Sequence, residues 1–354
     1  MKVSIVEANK TGVEHLSFNE QVLQIALNNT AKECLFFSSA KHFNSLNSSI
    51  AMKVSFFRIP VYSILNRRFI LKFLVEIIAT IYSLILSKFH KVELVVFLSV
   101  FPPLLPFISI LTKVLGLNTR VILHGELEGL IVPNKQSFSS YGYWVKVFFD
   151  KKFYKNVTSV VLSKGIYDRL LLLYPNISNF LLSINHPVPI TEPSEKKPYA
   201  FATIGYATKL KHGDVFDKYI IDSERGVDRL IHIGMADPEV IEMYSAYIEF
   251  ASPDGSALSA ESFSKYLSKV KSAVFLYNAS SYNLTVSGAM LDALGSGCRV
   301  VTIHNQFASD LIKMGFDINI VERDDLFKNR YESPRLHSVD FANYNSDCDI
   351  LKKF

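Results

Sequence analysis

The sequence holds only three cysteines in 354 residues, Cys34, Cys298 and Cys348, an odd count without metal-ligand spacing. That argues against a disulfide-stapled scaffold and a zinc site, and it fits a reducing compartment. No Gly-x-x-x-x-Gly-Lys-Ser/Thr loop occurs, which argues against a P-loop nucleotidase. The one Gly-x-Gly, Gly295-Ser296-Gly297, follows a helical pattern and precedes a strand, the reverse of a dinucleotide-binding turn. The absence of a Gly-x-Ser-x-Gly elbow weakens hydrolase readings. Asp347-Cys348-Asp349 spells a metal-type triplet, but it lies in a polar tail away from any strand end and reads as solvated. Basic residues form no interleaved stripe of the nucleic-acid type. The opening MKVSIVEAN reads as a first strand, with no apolar core behind its charges to make a signal peptide. Internal repeats and low-complexity blocks are absent.

Long uncharged runs are also scarce. Residues 69–88 carry Lys72 and Glu76 four apart on one helical face, which suggests a buried or interfacial helix more than a membrane span. Residues 94–112 have no charge over 19 positions, yet Pro102, Pro103 and Pro106 divide them. They read as an all-apolar strand followed by a proline-opened helix that stops at Gly116. A re-entrant membrane segment is the lesser alternative.

What is present is apolar and unevenly charged. Hydrophobic residues make up 49% of the chain, with 27 Phe and 17 Tyr, ample for two cores and too apolar for disorder. The net charge of +5 conceals +10 over residues 1–190 and −5 over residues 191–354. Short apolar strands are expected at 2–7, 33–37, 94–100, 120–124, 159–163 and 180–185, then at 200–204, 229–233, 247–251, 273–277 and 299–303. Helical patterns separate most of them, at 16–29, 69–89, 103–115, 165–174, 259–270 and 286–295. Such alternation predicts an α/β chain of two Rossmann-like domains with parallel sheets facing a central cleft, its ligands at the carboxyl ends of strands. The polar segment ITEPSEKKP supplies a linker. The expected division is 1–190, a linker at 191–198, a second domain at 199–325, and a tail at 326–354 that packs back across both.

One block carries the densest chemistry. Tyr282-Asn283-Leu284-Thr285-Val286-Ser287-Gly288 runs into a short helix bearing Asp292, then a glycine turn and a strand from Arg299. Small residues at a helix start let a diphosphate approach free amides, and the helix dipole favours its charge. Asp292, one turn on, is placed to accept hydrogen bonds from ribose hydroxyls; the plainer reading is an exposed acid behind an ordinary cap.

This block resembles the nucleotide-sugar site of GT-B glycosyltransferases, above all the bacterial group that builds lipopolysaccharide, O-antigen and other cell-surface polysaccharides. Asp292 stands for that family's ribose-binding Glu. The second Glu that many retaining members carry eight residues earlier is Leu284 here, a departure that leaves the stereochemical outcome open and marks a divergent subset. The resemblance extends to Ala200-Phe201-Ala202-Thr203-Ile204-Gly205, similar to the first donor-domain strand, with Lys209 or Lys211 implied as the diphosphate partner. It implies Gly205, Lys209, Lys211, Tyr282, Asn283, Ser287, Gly288 and Asp292 as donor-binding residues. Ser183-Ile184-Asn185-His186-Pro187-Val188 resembles the family's exit from the first domain.

The first half is expected to hold the acceptor. A strand at 119–124 delivers His124, Glu126 and Glu128 to its carboxyl end, and alternation would aim the two acids to one side. One of these groups, or His15, is the expected base for the acceptor hydroxyl. Loops similar to that at 8–15 contact the acceptor or the donor phosphate in the resembled family, which implies Gly12 and Glu14 as acceptor contacts, with capping as the alternative. Residues 141–155 interleave aromatics, including the only Trp, with four Lys. That pattern fits an anionic membrane interface, or else a core helix with a basic outer face.

The resemblance implies a metal-independent enzyme without cofactor, taking a nucleotide diphosphate sugar and a lipid-linked or oligosaccharide acceptor. No nucleic acid is expected. The expected location is cytoplasmic, peripheral on the inner face of the plasma membrane. A nucleotide-sugar epimerase on the same fold, and an inactive scaffold of a polysaccharide assembly complex, are the alternatives.

Overall fold

The computed structural model describes residues 1–29, 33–62, 69–131, 140–223, 229–277, 281–327 and 339–351. The chain divides into two units, one of Met1–Pro187 with Leu284–Val286 and Asn345–Phe354, the other of Val188–Asn283 with Ser287–Tyr344. The division thus falls at Pro187/Val188 and not within 191–198. The reason is packing. Thr191 donates its amide to the Gly295 carbonyl at 3.0 Å, and a side chain at Gly295 would overlap the Pro189 carbonyl. This stretch is built into the second unit.

The strands of the first unit are β1 (Val3–Glu7), β2 (Cys34–Ser38), β3 (Ser55–Arg58), β4 (Leu94–Ser99), β5 (Thr119–Leu123), β6 (Thr158–Val161) and β7 (Leu181–Ser183). Its helices are α1 (Leu16–Asn29), α2 (Ala40–Phe43), α3 (Ser48–Ala51), α4 (Phe69–Phe89), α5 (Leu105–Leu115), α6 (Tyr141–Asp150) and α7 (Lys164–Leu173). The strands form one sheet in the order β3-β2-β1-β4-β5-β6-β7, every pair parallel. The order reverses between β1 and β4, so the carboxyl ends of these two strands flank the switch point where α/β sheets bind ligands.

Alternation along the strands separates two cores. Val6, Phe37, Val95, Phe97 and Val121 pack under α4, α5 and α6. Ile5, Phe36, Val96, Leu98 and Ile122 pack under α1 and against Ile350 and Leu351 from the chain's end. Arg120 also donates to the Ile350 carbonyl. The run at 94–112 resolves into β4, a 3-10 turn at Pro102–Leu104 and α5, which Gly116 ends with a φ of +62°. Residues 141–150 form an amphipathic core helix. Val145, Phe148 and Phe149 are buried, Tyr143 and Trp144 are half-buried, and Tyr141, Lys146 and Asp150 are exposed.

The second unit holds β8 (Tyr199–Ile204), β9 (Leu230–Ile233), β10 (Glu249–Phe250), β11 (Val270–Phe275), β12 (Arg299–Thr302) and β13 (Ile318–Ile320). Its helices are α8 (Lys209–Ser223), α9 (Pro238–Tyr244), α10 (Ala260–Leu267), α11 (Gly288–Gly295) and α12 (Gln306–Lys313), and α13 (Phe341–Ser346) begins within it. The sheet order β10-β9-β8-β11-β12-β13 repeats the first pattern, again wholly parallel, with its switch point between β8 and β11.

Within the first core, α4 buries an ion pair between Lys72 and Glu76, and Lys72 also donates to the Tyr62 carbonyl at 3.2 Å. Burial pushes the Glu76 carboxyl up from its ordinary range, and the Lys72 ammonium holds it back. Removing one partner strands the other, a loss of about 3–5 kcal/mol, whereas replacing both with apolar residues restores packing. Urea unfolding should therefore show Lys72→Met far less stable than wild type, and Lys72→Met/Glu76→Leu close to it. A second constraint is the contact of Gly129 with Gly142, where a Cβ on Gly129 would stand 2.5 Å from the Gly142 Cα. Gly142→Ala is expected to cost about 1–3 kcal/mol, measured as a lowered Tm.

Candidate functional site

β1 ends on Glu7, a fully buried carboxylate at the first switch point. It accepts hydrogen bonds from the amides of Asn9 at 3.1 Å and Lys10 at 2.9 Å, from Asn19 Nδ2 at 3.0 Å, and from the Ser99 hydroxyl. Asn19 turns its other amide proton to His42 Nε2 at 3.0 Å, and His42 Nδ1 donates to the Gly12 carbonyl at 2.7 Å. A carbonyl can only accept, so this contact fixes the His42 tautomer with its proton on Nδ1. The network clamps the loop at 8–15 in a shape that needs left-handed backbone at Gly12, φ +58°, and at His15, φ +55°. Sequence reasoning missed Glu7, Asn19 and His42, although an acid closing an otherwise apolar strand was a visible signal.

The His15 ring lies 5.1 Å from that of His124, and Phe18 stacks its edge on His124 at 5.0 Å and contacts His186 at 4.9 Å. His124 Nε2 donates to the Leu98 carbonyl at 2.7 Å, which leaves Nδ1 as the acceptor nitrogen. Burial, offset in part by this bond, lowers the His124 pKa to about 3, and burial lowers His186 to about 4. His15 retains solvent access on the cavity wall, but the surrounding protein also lowers its pKa well below the ordinary value, helped by His124 and Lys10. All three imidazoles are neutral at physiological pH.

β5 stops at Leu123, and Gly125–Leu130 is a 3-10 turn, so strand alternation does not govern the two acids. Glu126 Oε1 accepts the His124 amide at 2.9 Å, yet burial outweighs that bond and pushes its pKa up to about 7. Glu128 Oε2 instead accepts the Leu284 amide at 2.8 Å, anchoring the short Leu284–Val286 segment of the same unit. Leu284 is buried in the core there. Lys10, His15, His124, Glu126, Glu128 and Tyr141 are among the residues that line a cavity of about 550 Å³, within the range of small-molecule sites. Gly12 and Glu14 do not line it. The Gly12 carbonyl serves His42, and Glu14 Oε2 is buried without a hydrogen-bond partner among the described residues.

In the second unit, β8 is followed by Gly205, φ +110°, and β9 by Gly234, φ +141°. A side chain on Gly234 would overlap the Gly205 carbonyl, so the two strand ends press together. The Lys211 ammonium lies 3.7 Å from where a Gly205 Cβ would stand, and burial lowers its pKa. The Lys209 stem lies against Gly213 along α8. Geometry thus separates two lysines that the sequence left equivalent.

At the neighbouring strand end, Ser287 caps α11 by accepting the Met290 amide at 3.2 Å. Its hydroxyl pairs with that of Tyr277 at 2.8 Å, and the Tyr277 ring stacks on Tyr282 at 4.2 Å. Tyr282 holds a φ of +60° to make that stack. Asp292, on the second turn of α11, is half-buried, and burial pushes its carboxyl up to about 7. Among the described residues, no hydrogen bond reaches that carboxylate. Cation, capped helix start and lone carboxylate all flank the β8/β11 switch point.

No family model matches the sequence, and no curated protein matches it. Solved structures do. The apo lipopolysaccharide outer core galactosyltransferase WaaB aligns with a TM-score of 0.53 at 14% identity, over 99% of this chain and 89% of that one. The Anabaena protein HepE in complex with UDP and glucose gives 0.57 at 11% identity, over 99% and 94%. Sucrose-phosphate synthase from Thermosynechococcus elongatus gives 0.60 at 10% identity, over 92% and 87%. Likeness at such identities is likeness of architecture, and the two parallel Rossmann-type sheets of this chain are those of the GT-B fold.

Proposed function

We infer that the chain is a glycosyltransferase that moves a sugar from a nucleotide diphosphate sugar to a lipid-linked or polysaccharide acceptor. The observation that carries this reading is the switch point of the second unit. An ammonium at Gly205, the amides of a Ser287-capped helix and an unshared carboxylate suit a diphosphate and a ribose in turn. HepE, whose solved forms hold UDP, UDP with glucose, and UDP-glucose, supports a nucleotide-sugar donor. WaaB, by its name a lipopolysaccharide enzyme, supports a cell-surface product.

Glu126 is the base in this reading. A pKa near 7 matches the task of taking a hydroxyl proton at neutral pH, whereas His124, near 3, holds a proton too weakly. Glu126 removes the acceptor proton as the acceptor oxygen forms its bond to the anomeric carbon. The bond from that carbon to the diphosphate oxygen breaks, and the diphosphate leaves with the electron pair. Lys211 and the first amides of α11 offset its growing charge. His124 and His15 shape the wall as neutral rings, and Glu128 acts by holding Leu284. Direct displacement inverts the anomeric centre, in keeping with Leu284 at the position of the usual second Glu. No metal is invoked, because the cation and the helix start supply the neutralisation. Three buried thiols, none of them in a disulfide, accord with a cytoplasmic setting.

The test is binding and transfer over a panel of nucleotide sugars. Asp292→Asn should weaken donor binding about tenfold or more by calorimetry, the loss of a charge-assisted bond. Glu126→Gln should keep donor affinity and lower kcat by about 10²–10⁴-fold. For wild type, kcat should rise with pH through an apparent pKa of about 7, since only deprotonated Glu126 accepts a proton, and this limb should vanish in Glu126→Gln. Wild-type donor binding and turnover in both variants would sink the assignment.

A further inference from the structure

Helix α4 is amphipathic the wrong way round for a helix facing water. Its polar residues, Lys72, Glu76, Thr80, Ser83 and Ser87, are buried against the sheet. Its outward stripe is apolar, with Ile70 74% exposed, Ile78 59%, Ile85 52% and Phe89 79%, joined by Leu74 and Tyr82. The spacing of 70, 74, 78, 81 or 82, 85 and 89 keeps these on one face along the whole helix, about 32 Å at 1.5 Å per residue. α5 continues the patch. Phe73 packs edge-on against Phe107 at 5.6 Å, and Phe107, Ile110 and Val114, the last 75% exposed, lie open.

Along the two helices the exposed charge has one sign. α4 and α5 expose no acid, since Glu76 is the only one in either helix and is buried. Lys88, Lys91 and Lys113 are exposed at the carboxyl ends of the two helices, and the Lys88 ammonium lies 3.8 Å from the Cβ position of Gly116, at the end of α5.

We propose that the α4–α5 face docks on an anionic lipid bilayer, with its aliphatic side chains in the acyl boundary and Lys88, Lys91 and Lys113 among the phosphate headgroups. A protein partner would look for about one hydrogen bond per 100–200 Å² and a polar rim. The stripe offers a single hydroxyl, that of Tyr82, whereas a lipid surface needs apolar area and cationic charge alone. This differs from docking through the aromatic and lysine run at 141–155, where Phe148, Phe149 and Tyr154 are buried in the core. It goes beyond the transfer reaction and does not rest on it.

Co-sedimentation of the full chain with phosphatidylcholine vesicles, with and without phosphatidylglycerol, tests the proposal. Wild type should pellet with the anionic vesicles, and Ile78→Glu/Ile85→Glu should lose at least about tenfold in partitioning with unchanged circular dichroism. Lys88→Glu/Lys113→Glu should lose the preference for phosphatidylglycerol. Should the double Glu variant not fold, Ile78→Cys carrying an environment-sensitive fluorophore should shift to the blue on anionic vesicles, the three native thiols being buried. A wild-type chain that stays in the supernatant, or a label that does not shift, overturns the proposal. So does a concentration-dependent dimer that the double variant dissolves without any vesicle binding, since a second copy would then be the occupant.

Discussion

A carboxylate with no access to water must be satisfied by protein donors, and Glu7 meets that demand from three directions at once. Its partners are the loop after β1, Asn19 of α1, and Ser99 of β4. Asn19 is in turn oriented by His42, and His42 by the carbonyl of Gly12. The left-handed turn of that loop follows, and with it the position of His15 against His124. The sheet alone would bring strand ends to one edge. This network gives the edge a cavity wall with a defined shape.

Burial then sorts the groups on that wall. Exclusion of water disfavours the charged form of every group, so it lowers imidazoles and raises carboxyls. In one cavity it turns His124 into a neutral hydrogen-bond donor and Glu126 into an acid that titrates near neutrality. Residue types at a strand end leave His15, His124, Glu126 and Glu128 equally open as the base. What sets Glu126 apart from them is solvent exclusion, a property of packing that leaves no trace in local sequence.

The regular parts of the fold were legible because central parallel strands are apolar throughout and bounded by turns. The strands expected from those runs all form. β3 and β13 went unread. Both are edge strands, half-buried or less, and lack the continuous apolar signature. The grammar of strand end and helix start placed Gly205 after a strand, Ser287 and Gly288 at a helix start and Asp292 on that helix, as they stand in the structure. The choice of Lys211 over Lys209 needed side-chain paths, and the Glu7 network needed contacts across 12 to 92 residues. The acids at 126 and 128 were visible, but their separate tasks depend on a 3-10 turn that pattern reading took for strand.

The inverted polarity of α4 shows where hydropathy stops being informative. A stripe of polar residues on an apolar helix reads the same whether that stripe meets water or protein. The decision lies in what the sheet offers. Here β1 presents the Ser4 hydroxyl, which accepts from Ser87 at 2.8 Å, and the chain at Tyr62 presents a carbonyl to Lys72. Glu76 completes the set by pairing with Lys72 below the surface. With its polar stripe drawn inward by these partners, the helix turns apolar side chains outward along its length, with Lys88 in its last turn. The excess of +10 in residues 1–190 marks the basic half of the chain, but it is the contact of α4 with the sheet that decides which face of that half is apolar.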